Sequence, residues 1–141
     1  MGRTIIISNR LPVKIHKDQD NNLVFKPSEG GLATGLGSIY KQGDNVWIGW
    51  PGMYFKNKKE EKEVEAELKK ENMRGVNLTP EEIKFYYEGF SNETLWPTFH
   101  YFNQYALYKK SYWQAYEKVN KKFCEAVLNV AKDGDTIWVH D

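Results

Sequence analysis

The stretch Thr4-Ile5-Ile6-Ile7-Ser8 is a continuous run of β-branched apolar residues between polar ones. Such a run is typical of a strand that is buried on both faces, as in parallel sheets. Residues 45–50 (NVWIGW) and 136–141 (TIWVHD) repeat the pattern, and residues 74–78 form a shorter candidate strand. The sequence therefore predicts a sheet of mostly parallel, buried strands.

Helical segments alternate with these strands. Residues 30–40 place apolar side chains at helical spacing after a glycine pair, and the Lys- and Glu-rich residues 56–71 predict a solvated surface helix. Thr79, Pro80 and Glu82 have the spacing of a capping box, so a helix is expected to begin there and to stop at Gly89. A longer helix with one apolar face is predicted from a cap at Ser111.

The order of the elements predicts the fold class. Residues 13–17 and 23–25 flank a polar stretch, which indicates an inserted β-hairpin. Strands that otherwise alternate with helices are typical of an α/β fold with a mostly parallel sheet. Because ligands bind beyond the carboxyl ends of such strands, a domain is not expected to end directly after one. We therefore expect the 141 residues to be part of a larger domain.

The composition excludes several classes of protein. Lys and Arg number 20 against 19 Asp and Glu, so the net charge of +1 offers no basic surplus for nucleic acid or an anionic membrane. One Cys excludes an intrachain disulfide and a cysteine metal cage. No segment has the ~20 apolar residues of a membrane span, and the first apolar run is too short for a signal peptide. A cytoplasmic protein is expected.

Arg10 is the first candidate ligand-binding residue. It follows the first predicted strand at the carboxyl edge of the sheet, where open α/β sheets bind ligands. Its guanidinium is a planar set of donors that suits a phosphate group. The alternative is a surface arginine paired with a carboxylate.

Gly30 and Gly31 are the second candidate site, because a helix follows them. Glycine lets a backbone approach a ligand closely, and a helix N-terminus favours an anion. The alternative is an ordinary flexible turn. The glycines match neither the dinucleotide fingerprint nor a P-loop, which argues against a dinucleotide-dependent oxidoreductase.

Aromatic residues make up 15% of the chain, and most are expected to pack in the core. Trp96 is expected in a loop, where it would either stack on a sugar ring or fill the core. Asp141 ends a predicted strand at the ligand edge, and its carboxylate can accept hydrogen bonds from sugar hydroxyls. His140 beside it is either a ligand contact or a structural neighbour. Without a G-x-S-x-G elbow, no hydrolase triad is predicted.

Six blocks, in order along the chain, resemble the trehalose-6-phosphate synthase family. They are SNRLPV at 8–13, GGLATGL at 30–36, WIGWPG at 47–52, YYEGFSN at 86–92, LWPTFHY at 95–101 and IWVHD at 137–141. The resemblance implies that residues 1–141 are part of the N-terminal, acceptor-binding, Rossmann-like domain of a GT-B glycosyltransferase. The C-terminal donor domain is then expected to lie outside this chain.

The resemblance also implies an activity and roles in acceptor binding. The family transfers glucose from UDP-glucose to glucose 6-phosphate with retention, without a metal or other cofactor. Motif matching assigns Arg10 and Tyr87 to the acceptor phosphate and places Trp50 beside it. Asp141 is assigned to the acceptor hydroxyls, and Trp96 to the pocket that fixes the acceptor anomer.

On the donor side, the resemblance assigns backbone N–H groups of Gly30 and Gly31 to the diphosphate. No protein nucleophile is implied, because the acceptor hydroxyl attacks from the face that the UDP phosphate leaves. Since the family's basic residues for that phosphate lie in the donor domain, we expect this chain alone to be inactive. Homo-oligomerisation of the complete enzyme stays open, and the alternative function is a non-catalytic carbohydrate or sugar-phosphate binding module.

Overall fold

The computed structural model of the chain describes residues 2–140. These residues form two compact units, the first made of residues 2–77 with 125–140 and the second of Leu78–Cys124. Among the described residues, no helix combines the length and the apolar character that crossing a membrane requires.

The described residues contain strands, α-helices and two other helical segments. The strands are β1 (Thr4–Arg10), β2 (Val13–Lys17), β3 (Leu23–Pro27), β4 (Val46–Trp50), β5 (Met73–Gly75) and β6 (Thr136–Val139). The helices are α1 (Gly31–Tyr40), α2 (Lys58–Lys70), α3 (Pro80–Glu82), α4 (Trp96–Phe99) and α5 (Lys110–Leu128), with a π-helical segment, Ile83–Leu95, between α3 and α4 and a 3₁₀ turn, Asn103–Tyr105, before α5.

The first unit contains a four-stranded sheet in the order β5-β4-β1-β6. All three strand pairs are parallel, and the hairpin of β2 and β3 forms a separate antiparallel pair. Ile5, Ile6 and Ile48 are fully buried, as predicted for strands covered on both faces. The predicted α/β class, with a mostly parallel sheet and an inserted hairpin, is confirmed.

The predicted burial of β6 is wrong, although the strand itself is present. Ile137, Trp138 and Val139 are 49%, 41% and 67% exposed. β6 is one of the two edge strands of the described sheet. Successive residues of a strand point to opposite faces, so the exposure of both Ile137 and Trp138 shows that neither face of β6 is covered by the described residues. The apolar run therefore predicted the strand, but it did not predict whether other parts of the chain bury its side chains.

One buried cluster forms the core of the first unit. The hairpin contributes Val13 and Ile15, α1 contributes Leu36 and Tyr40, and α2 contributes Val64 and Leu68. The sheet residues of the cluster are Ile6, Trp47 and Met73. The apolar positions predicted for residues 30–40 are thus only partly buried, because Leu32 and Ile39 stay 36% and 40% exposed.

The last strand of the sheet is shorter than predicted. Residues 74–78 were expected to form it, whereas β5 covers Met73–Gly75. Val76 makes one more backbone bond, from its N–H to Gly49 O at 2.9 Å. The Asn77 side chain then exchanges hydrogen bonds with the backbone of Phe55 instead of continuing the strand, and the chain leaves the sheet.

In the second unit, the expected helix stop at Gly89 is wrong. The capping box at Thr79 is confirmed, but the helical path continues through Gly89 to Phe99. A Cβ on Gly89 would lie 2.7 Å from the Tyr112 ring, so this buried glycine permits close packing. Pro97 does not end this path, although it has no N–H to donate to Glu93 O one turn earlier; that carbonyl accepts from Leu107 N at 2.7 Å instead.

The start of α5 also differs from the prediction. Ser111 was expected to cap this helix, whereas α5 begins at Lys110. The backbone N–H groups of Tyr112 and Trp113 both donate to Lys109 O, which sets the first turn earlier. The predicted apolar face is partly right, since Tyr112, Val119 and Val127 are buried.

Glu82 is a buried carboxylate at the start of the second unit's helical segment. Its Oε2 accepts hydrogen bonds from the Thr79 backbone at 3.0 Å and Lys122 Nζ at 2.7 Å, and its Oε1 lies 3.2 Å from Lys118 Nζ. Burial acts to raise the pKa of Glu82, but the donors from both lysines and Thr79 outweigh it, so this pKa lies below the ordinary value of 4.5.

Glu82→Gln should therefore remove a pH-dependent part of the stability. A lowered pKa stabilises the fold above the unfolded pKa, and this stabilisation is lost as the pH falls through the folded pKa. We expect the free energy of unfolding of the parent chain to exceed that of the variant at pH 7. The difference should shrink below about pH 4.5, measured by urea denaturation. The exposed neighbour substitution Glu81→Gln is the control, and a pH-independent difference for Glu82→Gln would contradict the assignment.

Candidate functional site

Arg10 and Trp50 lie together at the carboxyl end of the sheet. Each is the last residue of its strand, and they are register partners across β1 and β4. The Arg10 guanidinium carbon is 5.7 Å from the centroid of the Trp50 ring, within the range of a cation–π contact. Arg10 was expected just beyond β1, whereas the strand extends to include it. Arg10 and Trp50 therefore lie side by side at this edge of the sheet.

The Arg10 side chain is exposed, and no acidic residue within residues 2–140 forms an ion pair with it. Among the ion pairs between described residues, none involves Arg10. The alternative of a surface arginine paired with a carboxylate therefore has no support within residues 2–140. The donors of the guanidinium are available to an anion in solvent.

Trp50 presents a second unused donor at the same edge. Its indole Nε1 is buried and has no hydrogen-bond partner among the described residues. Buried donors are normally satisfied, so an unpaired one calls for an explanation such as a ligand atom. His140 Nε2 is also buried without a partner in this part of the chain, and its ring lies 4.7 Å from that of Trp138.

Gly30 and Gly31 form the start of α1, as predicted. Gly30 is the N-cap in an extended conformation without a side-chain cap, and no acidic residue stands in the first turn. Apart from its chain neighbours and the backbone of α1 itself, no described atom lies within 4 Å of a Cβ built on either glycine. The first N–H groups of α1 are therefore open to an approaching anion, which the helix dipole would favour.

Tyr87 and Trp96 belong to the second unit. Tyr87 is 41% exposed on the π-helical segment, and Trp96 is 54% exposed. Trp96 opens α4, so the expected loop around it is wrong. An exposed tryptophan also excludes the alternative that Trp96 fills the core of its unit.

The Trp96 ring is held in place by a histidine one helical turn later. The rings of Trp96 and His100 stack with centroids 4.0 Å apart and planes at 16°. His100 Nδ1 lies 2.7 Å from Trp96 O. Sequence reasoning missed this partner, although the spacing of four residues would have shown it once the helix was recognised.

The structure thus brings together part of the predicted site. Arg10 contacts Trp50, and Gly30 precedes α1 in the same unit, whereas Tyr87 and Trp96 lie in the second unit. Asp141 lies outside the described residues. Among residues 2–140, no three His, Cys, Asp or Glu side chains are grouped so that they could hold a metal ion.

Curated relatives match nearly the whole chain. It is 38% identical over 148 residues to a bifunctional trehalose-6-phosphate synthase/phosphatase of Thermoproteus tenax, with 99% of this chain and 19% of the relative covered. It is 39% identical over 141 residues to a UDP-forming alpha,alpha-trehalose-phosphate synthase of Emericella nidulans, with 99% and 28% covered. The chain therefore spans less than a third of the length of these relatives.

Solved structures show the same relationship. A UDP-forming synthase from Burkholderia vietnamiensis superposes with a TM-score of 0.71 at 30% identity, covering 100% of this chain and 28% of that one. An E. coli structure bound with UDP-2-fluoro glucose gives 0.70 at 27% identity, with 99% and 28% covered. A Burkholderia xenovorans synthase in complex with glucose-6-phosphate gives 0.69 at 27% identity, with 99% and 28% covered.

The family model of glycosyltransferase family 20 matches residues 2–141. This match covers both units, and it agrees with the relatives and the structural neighbours. The chain belongs to glycosyltransferase family 20.

Proposed function

We propose that this chain is the acceptor-binding part of a UDP-forming trehalose-6-phosphate synthase. The enzyme would transfer glucose from UDP-glucose to glucose 6-phosphate with retention at the anomeric carbon. The observation that carries the proposal is the Arg10 guanidinium, which lies over the Trp50 ring at the carboxyl end of the sheet and has no ion-pair partner among the described residues. The relatives named as UDP-forming synthases support it.

Arg10 would bind the acceptor phosphate. A sugar phosphate carries between one and two negative charges at neutral pH, and a guanidinium can donate two parallel hydrogen bonds to it. The Trp50 ring lies beside the guanidinium at the carboxyl edge, within the range of a cation–π contact. Tyr87 would add a hydroxyl donor to the phosphate, and Asp141 would accept from the sugar hydroxyls.

The donor would be bound at the start of α1. The open N–H groups after Gly30 and Gly31 suit the diphosphate of UDP-glucose, and the N-terminal end of the helix dipole favours its charge. A donor domain outside this chain would supply the remaining diphosphate contacts. The coverage of the relatives is consistent with this division, since the chain matches only 19% and 28% of their lengths.

The chemistry needs positioning and charge stabilisation rather than a protein nucleophile. The acceptor hydroxyl would attack the anomeric carbon from the face that UDP leaves. The bond from that carbon to the diphosphate oxygen breaks, the new glycosidic bond forms, and the departing phosphate takes the hydroxyl proton. Trp96, stacked on His100, would limit which acceptor anomer fits. No cofactor takes part, and the enzyme would act in the cytoplasm.

The test is to supply the complete enzyme with UDP-glucose and glucose 6-phosphate. We expect UDP and trehalose 6-phosphate to form in equal amounts, while the 141-residue chain alone gives no turnover. Binding of glucose 6-phosphate without any UDP release by the complete protein would instead indicate the sugar-phosphate binding module. Turnover by the 141-residue chain would contradict the division into acceptor and donor domains.

Tyr87→Phe should weaken the binding of glucose 6-phosphate by roughly 2- to 10-fold, the loss expected for one neutral hydrogen-bond donor. The affinity for UDP-glucose should not change. Isothermal titration of each ligand with the complete enzyme measures both values. The control is Tyr101→Phe, which removes a hydroxyl from a tyrosine that is 92% exposed. Equal effects of the two substitutions would contradict the phosphate role of Tyr87.

A further inference from the structure

An irregularity in β1 determines where Arg10 lies. Ile7 pairs with Ile48 and Arg10 pairs with Trp50, so β1 advances three residues while β4 advances two. The extra residue makes a β-bulge directly before Arg10. Bulges re-aim the side chains that follow them and are common beside functional sites.

The Ser8 hydroxyl lies inside this bulge and joins it to the core. Ser8 is 2% exposed, and its Oγ donates to Arg10 O at 2.7 Å. The same Oγ accepts from the indole Nε1 of Trp47 at 2.8 Å. Because Trp47 is 1% exposed and packed in the core, this hydroxyl links a rigid side chain to the backbone of Arg10.

Two glycines leave the space that the bulge and the guanidinium occupy. A Cβ on Gly49 would lie 2.9 Å from both Ser8 O and Leu11 N. A Cβ on Gly52 would lie 2.8 Å from Arg10 Nη2, and the φ of +83° at Gly52 already favours glycine. The backbone of the bulge is thus in close contact with Gly49 in β4, and the guanidinium is in close contact with Gly52, two residues after β4.

We propose that Ser8 is a positioning residue, whose hydroxyl fixes the bulge so that the Arg10 guanidinium stands over Trp50 in the orientation that receives the acceptor phosphate. The functional part of this proposal rests on the proposed role of Arg10 in binding glucose 6-phosphate. Ser8 itself is buried and does not touch the ligand; its effect passes through the backbone of Arg10.

Removing the Ser8 hydroxyl should release this restraint on the bulge without creating a large cavity in the core. Ser8→Ala leaves Trp47 Nε1 without its acceptor and Arg10 O without its donor, so the bulge can relax. We expect the affinity for glucose 6-phosphate to fall about tenfold, the factor that matches the loss of one or two net hydrogen bonds. The affinity for UDP-glucose should stay within about twofold. Ser8→Cys, nearly equal in size but a weaker donor and acceptor, should give an intermediate loss and serves if Ser8→Ala does not fold.

A double-mutant cycle in the complete enzyme separates positioning from a general loss of stability. If Ser8 acts through Arg10, Ser8→Ala should add nothing to Arg10→Ala, because the group it positions is gone. Additive losses would overturn the proposal.

Asn45→Ala is the matched control. Asn45 accepts from Thr4 N at 2.8 Å and donates to Ile39 O at 2.9 Å, so it links the residue before β4 to the amino end of β1 and to α1. The Asn45→Ala substitution should lower the free energy of unfolding while leaving the affinity for glucose 6-phosphate unchanged. A loss of affinity as large as that of Ser8→Ala would show that any weakening of the sheet has this effect, and would overturn the proposal.

A crystal structure of the Ser8→Ala enzyme without ligand distinguishes failure of this proposal from failure of the proposed function. The guanidinium should leave its position over Trp50, and an unchanged Arg10 would overturn the proposal whatever the affinities. A displaced guanidinium together with an unaffected glucose 6-phosphate affinity in Arg10→Ala would uphold the structural role of Ser8 and refute the acceptor assignment.

Discussion

Arg10→Ala should weaken the binding of glucose 6-phosphate to the complete enzyme by roughly 10- to 100-fold, the range for hydrogen bonds to a charged group. The guanidinium is exposed, lies over Trp50 and forms no ion pair with a described residue, so its donors are available to the acceptor phosphate. UDP-glucose affinity should change by less than about twofold, because its diphosphate is assigned to the start of α1. Isothermal titration with each ligand separately measures both constants.

Two control substitutions distinguish the contribution of the planar guanidinium geometry of Arg10 from that of its positive charge. Lys14→Ala removes a positive charge from an exposed position of β2 and should leave both affinities unchanged. Arg10→Lys keeps the charge but loses the planar set of donors, so it should fall between the parent enzyme and Arg10→Ala. Equal losses for glucose 6-phosphate and UDP-glucose in Arg10→Ala would refute the assignment of Arg10 to the acceptor.

The strands of the sheet were predictable because burial on both faces leaves a strong pattern. Ile5, Ile6 and Ile48 lie in short apolar runs without alternation, and the β-branched residues and polar flanks of these runs favour a strand over a buried helix segment. The exposure of β6 was not predictable in this way, since an apolar run does not show whether other elements pack on the faces of the strand. Among the described residues nothing covers either face of β6, whereas Met73 in the other edge strand, β5, is buried.

The errors in the second unit have a different cause. Gly89 was interpreted as the end of a helix, and the residues around Trp96 were expected to form a loop. In the structure, contact with the Tyr112 ring accounts for the glycine, and Pro97 falls in the first turn of α4. Such local signals are overridden by contacts between residues more than 20 positions apart, as between Gly89 and Tyr112. These contacts cannot be inferred from a single sequence.

The candidate site was predictable residue by residue but not in its geometry. Arg10 and Trp50 could each be placed at the carboxyl edge, because each follows or ends an apolar run. Their register partnership follows a shift between Ile7 and Arg10, which has no clear sequence signature. The same bulge moves the end of β1 from Ser8 to Arg10.

Two tryptophans of the sheet differ strongly in burial, and substituting the buried one is expected to have the largest effect on stability. Trp47 is 1% exposed, packs edge-to-face on Tyr40 at 5.5 Å and belongs to the core of the first unit. Trp138 in β6 is 41% exposed. Both tryptophans lie in apolar runs of the sequence, so composition and pattern alone do not distinguish them.

Trp47→Ala should therefore lower the free energy of unfolding by about 3–5 kcal/mol, and Trp138→Ala by about 1 kcal/mol or less. Truncating Trp47 leaves a cavity among core side chains and removes the donor to Ser8, whereas Trp138 gives up contacts on one side only. Trp47→Phe keeps most of the volume and should fall between them. Urea denaturation of the full chain, followed by far-UV circular dichroism, measures all three without depending on the substituted fluorophore. Equal losses for Trp47→Ala and Trp138→Ala would mean that the β6 face is covered and the core assignment of Trp47 is wrong.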